Sequence, residues 1–231
     1  SRSHNAAVWT RFDIKNSDGE MLGFATSDEN SRSLRFGGQY DWVSSEGTIT
    51  LLQGQISQGV SIFDATKNGS ALINRQNADF NYTSFKFDVS QVHYFDGGFG
   101  LSLRASAQYS GDALIGSEQC GFGGNNYGRA YDNFEISGDK CVIGSAEISR
   151  NLPELNNHIK NIQPYVFWDA GQVWLNQSNI SSFSHSAGAG VRATFFQYVN
   201  GYAELAMPLR QAVSLTNSKS PRFFMGIRSF F

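Results

Sequence analysis

The sequence predicts an all-β protein, a transmembrane antiparallel β-barrel of which about ten strands are present. Three observations indicate this: polarity alternates along successive segments, long and short connections alternate between them, and Gly and aromatic residues are abundant. Of 231 residues, 24 are Gly, 14% are aromatic and only 16% are charged, a balance more typical of β than of helical proteins. No apolar run reaches the roughly 18 residues of a transmembrane helix, whereas a barrel strand needs only about 9 to 11.

Ten segments have the length and alternation of strands, and no linker divides them into two domains. The predicted strands cover residues 8–16, 31–44, 47–60, 78–95, 99–111, 139–150, 162–174, 186–197, 201–210 and 222–231. In the eighth predicted strand, every second residue from Ala187 to Phe195 is apolar, and these residues share one face. The residues between them, starting at Ser186, are polar or small and share the other face. The pattern predicts consecutive antiparallel hairpins.

Alternation alone does not distinguish a membrane barrel from a soluble sandwich, but the connections do favour the barrel. Those at 17–30, 61–77, 112–138, 175–185 and 211–221 are long, and those at 45–46, 96–98 and 198–200 are short. Outer-membrane barrels have long loops outside and short periplasmic turns, a rule from which the turn at 151–161 departs. The predicted polar face also carries charges suited to a hydrated lumen: Arg35, Arg104, Glu147, Asp169, Arg192 and Glu204.

Charge and motif content exclude several other classes of function. With a net charge of −2 and no run of basic residues, the sequence gives no electrostatic indication of nucleic-acid binding. The four histidines are widely spaced, so a metal site is not expected. No other cofactor is expected either. No Gly-x-Ser-x-Gly elbow or clustered carboxylate pair indicates an enzyme.

The last predicted strand places Phe223, Ile227 and Phe231 on one face, with an aromatic residue at the end. This resembles the C-terminal signal by which outer-membrane barrels are recognised for assembly. The barrel-assembly machinery and outer-membrane lipid are therefore expected partners.

The connection at 112–138, with the start of the next strand, carries the motifs that indicate a family. It contains Ser-Glu-Gln-Cys at 117–120, Gly123-Gly124, Arg129-Ala-Tyr131 and Ser-Gly-Asp at 137–139, followed by Gly-Ser-Ala-Glu at 144–147; Phe-Trp-Asp-Ala-Gly occupies 167–171. Together these resemble the signature of two-partner-secretion transporters, the haemolysin and adhesin exporters of the bacterial outer membrane. The likeness extends from about residue 47 to the end.

The resemblance implies that this connection, called here the signature loop, folds back into the lumen. It implies that Arg129 pairs with Asp169 on the barrel wall, with Tyr131 packing beside it. The other positions that match the family motifs are Gly138, Asp139, Glu147, Phe167 and Gly171. Two positions depart from the family pattern: Ala130 stands where the family has Gly, and Gly128 stands where it commonly has Val. Because residue 130 is not glycine, its backbone must avoid positive φ.

The sequence has two cysteines, Cys120 and Cys141. By themselves they fit either one disulfide in an oxidising compartment or two free thiols. Their positions in the resemblance, at the two feet of the signature loop, lead us to predict a disulfide.

The family barrel has sixteen strands preceded by periplasmic POTRA domains. The ten predicted strands then correspond to the last ten, and the preceding strands and domains are expected upstream of residue 1. The implied function is export of a large partner protein through a monomeric barrel, without catalysis. Two alternatives remain at this point: a barrel-assembly insertase of the same superfamily, and a porin-like or adhesin barrel without a secreted partner.

Overall fold

The structure is a computed structural model that describes residues 3–154, 158–178, 180–196 and 198–229. Ten strands form one antiparallel sheet: β1 (His4–Met21), β2 (Phe24–Val43), β3 (Ile49–Gly59), β4 (Thr83–Tyr94), β5 (Phe99–Ser110), β8 (Lys140–Arg150), β9 (Ile159–Trp174), β10 (Ser181–Phe195), β11 (Val199–Pro208) and β12 (Arg222–Ser229). Two short strands, β6 (Cys120–Phe122) and β7 (Ile136–Gly138), pair separately inside the signature loop. The predicted all-β class and the ten-stranded antiparallel sheet are confirmed.

Each strand of the large sheet pairs with its neighbours in chain order, and β1 and β12 lie at the two edges. The signature loop separates β5 from β8, which are themselves directly paired. No helix in the described part of the chain is long and apolar enough to cross a membrane.

The two faces of the sheet differ in burial as the alternation predicts. In β9, Tyr165, Phe167 and Asp169 are buried, whereas Val166 and Trp168 on the opposite face are half exposed. We call the face that the signature loop covers the inner face and the opposite one the outer face. The main apolar cluster lies between the loop and the inner face and includes Phe122, Tyr131, Ile143 and Phe167.

The long connection predicted at 17–30 is wrong. β1 and β2 continue through it and turn at Leu22 and Gly23, whose φ values of 52° and 83° are those of a two-residue hairpin turn. The residues here are polar on both faces because the hairpin extends beyond the end of β3, where Gly59 pairs with Ser33. Ser27 and Ser31 are buried here, but neither face of the extension is apolar, so the strand has no alternation of polarity from which it could be predicted.

Two other predicted boundaries are wrong for related reasons. β4 begins at Thr83 rather than 78, because Ala78 and Phe80 are buried in a small apolar cluster of the preceding connection. β10 begins at Ser181, so the connection predicted at 175–185 covers only 175–180. The serines that open β10 look like loop residues, yet Ser184 and Ser186 are fully buried on the inner face.

Glycines in β10 allow aromatic side chains of β9 to lie flat on the inner face. A Cβ atom built at Gly188 would lie 2.5 Å from Cζ of Phe167 and 2.2 Å from the backbone oxygen of Leu205. At Gly190 it would lie 2.5 Å from Cζ of Tyr165. These glycines therefore position two of the rings that border the site.

We expect Gly188→Ala to destabilise the barrel by about 1–3 kcal/mol, because the new methyl group overlaps both a ring and backbone. The matched control is Gly54→Ala in β3, where nothing lies within 4 Å of the new Cβ. This control should be neutral or stabilising by up to about 1 kcal/mol. Heat-induced unfolding, followed by the gel shift between folded and unfolded barrel, measures both; equal effects would contradict the steric explanation.

Candidate functional site

The signature loop turns back over the inner face instead of extending away from the strand ends. Its first limb makes a short 3₁₀ turn at Gly116–Glu118 and enters β6. The β6–β7 hairpin then contacts β8 and β9, and the segment between β6 and β7 forms the loop tip. The tip carries Arg129.

Arg129 forms a two-pronged ion pair with Asp169 of β9. Its Nε donates to Oδ2 and its Nη2 to Oδ1, each at 3.1 Å. The backbone N–H groups of Gly128 and Arg129 also donate to Oδ2, both at 3.1 Å. Asp169 is fully buried and Arg129 is 7% exposed, so the contact is withdrawn from water. Such charge-assisted, bidentate contacts are among the strongest polar interactions in proteins.

Two further carboxylates surround the same guanidinium. Nη1 of Arg129 lies 2.9 Å from Oε2 of Glu147 and 3.3 Å from Oε2 of Glu204. The guanidinium carbon also lies 3.3 Å from the ring centre of Phe167, where the aromatic face attracts a cation. Burial alone lowers the pKa of Arg129, but the hydrogen bonds to Asp169 and Glu147 and the charges of Asp169 and Glu204 raise it above its ordinary value. The guanidinium therefore stays charged.

Glu147 and Glu204 each have a second partner on the barrel wall. Arg192 of β10 donates to both oxygens of Glu147, at 2.6 and 3.0 Å. The hydroxyl of Tyr165 donates to Glu204 at 2.8 Å. In the described part of the chain, by contrast, every hydrogen bond to the Asp169 side chain comes from Gly128 and Arg129. Of the three carboxylates around Arg129, only Asp169 has all of its described hydrogen-bond donors on the loop.

Aromatic residues of β6 and of the tip pack closely on the wall. The ring of Phe122 lies against Gly171, where an added Cβ would be 2.6 Å from the ring. Tyr131 is buried beside Phe122, with ring centres 5.8 Å apart. Its hydroxyl donates to the backbone oxygen of His185 at 3.2 Å. Gly171 thus leaves room for the loop to approach the sheet.

Positive φ in the tip occurs at three glycines, Gly123 (125°), Gly124 (94°) and Gly128 (81°), and at one other residue, Phe134 (56°). Ala130 is not among the residues with positive φ, so replacing the family's Gly there introduces no strain. The turn needed before Arg129 is made at Gly128, where the family commonly has Val.

Asp139 joins three connections at the long-loop end of the sheet. Its fully buried carboxylate accepts hydrogen bonds from Arg75 at 2.5 and 2.9 Å. It also accepts from the backbone N–H groups of Leu114 at 2.8 Å and Asn176 at 2.7 Å. Burial by itself raises the pKa of Asp139, but the bonds from Arg75 and the backbone lower it below its ordinary value. Gly138 precedes it, with no room for a side chain beside the backbone of Trp174.

Glu118 attaches the first limb of the loop to a distant part of the wall. It accepts from Arg35 of β2 at 2.7 Å and from Lys15 of β1 at 3.2 Å. Arg35 also contacts Asp13 at 2.5 Å. Burial raises the pKa of Glu118, but Arg35 and Lys15 together lower it below its ordinary value.

A disulfide joins Cys120 of β6 to Cys141 of β8, with their Cα atoms 6.2 Å apart. The bond closes a covalent ring at the base of the β6–β7 hairpin, which carries the loop tip. This is the pairing predicted for the two feet of the loop.

The structure brings most of the predicted site residues into one region. Arg129, Tyr131, Phe167, Asp169, Gly171 and Glu147 meet at the loop tip, whereas Asp139 and the disulfide lie nearer the loop's base. Phe223 and Ile227 lie exposed on the outer face, and Phe231 is outside the described residues. Sequence reasoning missed the roles of Arg75, Glu118 and Tyr165, and it placed Arg192 and Glu204 on the polar face without assigning them to the site.

The fold and the site define a class of protein: a β-barrel wall whose polar face is covered by a long loop held by a buried Arg–Asp pair. A family model described as "Haemolysin secretion/activation protein ShlB/FhaC/HecB" matches residues 3–193. The chain belongs to this family of secretion proteins, as the motif resemblance predicts.

Two solved structures share the fold. CdiB from Escherichia coli aligns with a TM-score of 0.82 and 18% identity over 99% of this chain and 42% of that one. CdiB from Acinetobacter baumannii aligns with a TM-score of 0.77 and 18% identity over 100% of this chain and 40% of that one. The chain thus spans about two fifths of the length of these proteins. No curated protein sequence matches it significantly.

Alkylation tests the disulfide. Without reductant, the denatured protein should gain no mass from a thiol reagent, and after reduction it should gain two adducts. Replacing both cysteines with Ser should cost about 3 kcal/mol, the chain-entropy value for a ring of about 20 residues. Two alkylatable thiols in the unreduced protein would contradict the bond.

Asp139 should make the stability of the loop base depend on acidity. Because its folded-state pKa lies below the unfolded value near 4, its stabilisation is complete above about pH 4 and is lost as pH falls through the lowered pKa. Asp139→Asn should therefore lower the melting temperature at pH 7 and flatten its decline between pH 5 and 2. The matched control is Asp64→Asn, at an exposed residue of the connection between β3 and β4. If both variants kept the full pH dependence, Asp139 would not be its source.

Proposed function

We propose that this chain is part of the barrel of an outer-membrane transporter that exports a large partner protein of the haemolysin or adhesin type by two-partner secretion. The remaining barrel strands and periplasmic POTRA domains would lie upstream, completing a sixteen-stranded barrel. Export uses no nucleotide, cofactor or covalent step: an unfolded chain passes through the lumen when the signature loop moves aside.

The single observation that carries this proposal is the position of the signature loop in a chain of a secretion family. The loop covers the inner face, and its tip is held there by the ion pair between Arg129 and Asp169. A loop so placed obstructs the space that an exported chain would use. Its displacement is therefore a necessary step of transport.

The hydrogen-bond partners at the tip support movement of the loop rather than permanent attachment. When Arg129 leaves, Glu147 keeps Arg192 and Glu204 keeps the hydroxyl of Tyr165. Only Asp169 is left without a partner among the described residues, and an uncompensated buried charge is costly. Glu147 and Glu204 thus keep a hydrogen-bond partner whether the loop is in place or displaced. The free-energy cost of displacing the loop falls mainly on Asp169.

The outer face supports placement in a membrane. It exposes many large apolar side chains in the middle of the sheet, where a soluble protein would cover them. They include Phe85, Phe87, Leu103, Val142, Ile148, Val166, Trp168 and Leu205. Since the barrel strands of this family are the membrane-crossing elements, we assign the protein to the bacterial outer membrane.

Other partners follow from this placement. During insertion, the barrel-assembly machinery would recognise the outer-face residues Phe223 and Ile227 of β12, together with Phe231. Lipid surrounds the outer face, the barrel acts as a monomer, and nucleic acid has no part in its function.

Arg129→Met in the full-length transporter tests the proposal. Removing one partner of a buried ion pair costs about 3–5 kcal/mol, so the loop should leave the inner face. We expect higher and noisier ion conductance in planar bilayers and a loss of partner export in cells. Asp169→Asn should have a similar effect, and the double variant should be no worse than either single one, because both remove the same contact.

Asp41→Asn, at an exposed carboxylate of β2 paired with Asn5, is the control and should change neither readout. Normal export and conductance in both Arg129→Met and Asp169→Asn would refute the role of this ion pair. Altered conductance with no dependence of any exported protein on the barrel would favour a porin-like barrel. Failure of other barrels to assemble when the protein is depleted would favour an insertase.

A further inference from the structure

The outer face carries a groove that the transport proposal does not use. It lies at the long-loop end of β4, β5, β8 and β9 and has a volume of about 1140 Å³. Ala107 and Val142 form its floor, the aromatic side chains of Phe85, Phe87 and Tyr109 lie on one side, and Trp174, Leu175 and Ile180 lie on the other. The volume exceeds that of many small-molecule sites, and the lining is mostly apolar.

The four strands around the groove are internal to the sheet. β4 pairs with β3 and β5, β8 with β5 and β9, and β9 with β10. The edges, β1 and β12, lie elsewhere. A further barrel strand added at either edge would leave the groove open on the outer face.

The outer-face residues of β8 indicate the depth of the groove in the membrane. In order they are Lys140, Val142, Gly144, Ala146, Ile148 and Arg150, two cations separated by four uncharged residues. Ten residues of strand span roughly 34 Å, or about 26 Å along the membrane normal at a tilt of about 40°. This matches the apolar band of about 25 Å in outer-membrane barrels. Lys140 therefore lies at the depth of the lipid headgroups on the long-loop side.

Lys140 is the cation positioned to bind a ligand in this groove. Its ammonium lies 5.1 Å from the ring centre of Tyr109. The other charged residue of the described lining, Lys86, is paired with Asp88 at 3.6 Å. No carboxylate lines the groove among the described residues. The groove thus combines an apolar channel with a cation at its headgroup end.

We propose that this groove binds a phosphorylated acyl lipid of the outer leaflet, with an acyl chain against Ala107 and Val142 and a phosphate on Lys140. The proposal rests on the membrane placement of the barrel but not on its transport activity. The charge favours an anionic headgroup, and clusters of basic and aromatic residues at membrane interfaces recognise such lipids.

Native mass spectrometry of the full-length barrel, titrated with lipid A in detergent, tests the site. We expect a saturable adduct of one lipid A, and weaker binding of lipid A from which the phosphates have been removed. Lys140→Gln should weaken binding about fivefold, the effect of one cation near an anionic lipid surface. Its matched control is Arg150→Gln, since Arg150 lies 4.9 Å from the ring of Phe99 at the opposite end of the same two strands. This control should leave binding unchanged.

A second pair of variants tests the apolar channel. Ala107→Phe fills its floor and should weaken binding of lipid A, whereas Ala105→Phe, on the same face of β5 but outside the groove, should not. Equal binding by Lys140→Gln, Arg150→Gln and the parent, or by the two Phe variants, would overturn the proposal. So would a barrel dimer in place of the lipid adduct. Export is measured in parallel, so that a failed lipid site with normal export leaves the transport proposal intact.

Discussion

The guanidinium of Arg129 is removed from water by the same loop that carries it, and a buried cation is tolerated only where opposite charges surround it. Asp169 supplies two oxygens, and Glu147 and Glu204 approach from neighbouring strands. This requirement explains why carboxylates from β8, β9 and β11 converge on one point of the inner face. It also explains why Gly171 is needed, since a side chain there would overlap the ring of Phe122 and hold the loop away from the sheet. At Gly123, Gly124 and Gly128 a side chain would instead clash within the loop itself.

The contacts of the loop are distributed unequally along its length. At its base, Asp139 binds Arg75 together with two backbone N–H groups, and the disulfide joins Cys120 to Cys141. On the first limb, Glu118 contacts Arg35, which keeps Asp13 if the limb moves. The base is therefore held by a covalent bond and by a carboxylate with several partners. Displacement of the first limb and the tip would leave Arg35, Glu147 and Glu204 with other partners, and among these groups only Asp169 with none in the described part of the chain. This distribution supports the proposed displacement of the tip with the base in place.

The two faces of the sheet have opposite requirements, and β8 combines them within eleven residues. Its inner side provides Cys141 to the disulfide and Glu147 to the ion-pair cluster. Its outer side provides apolar residues between Lys140 and Arg150. The same strand thus anchors the loop on one face and carries uncharged residues bounded by two cations on the other.

Alternation of polarity in the sequence was sufficient to predict the all-β class, ten strands and the inner position of Asp169, because burial of one face imposes a period of two. The motifs were sufficient to identify the family and to select Arg129 as the partner of Asp169. Local sequence did not reveal the β1–β2 extension or the start of β10, since polar residues on both faces leave no periodic signal. Nor did it reveal that Glu118 meets Arg35, 83 positions away, or that Arg75 meets Asp139. Only the tertiary structure decided these contacts, because the packing of the loop against the sheet, and not proximity in the chain, brings such charges together.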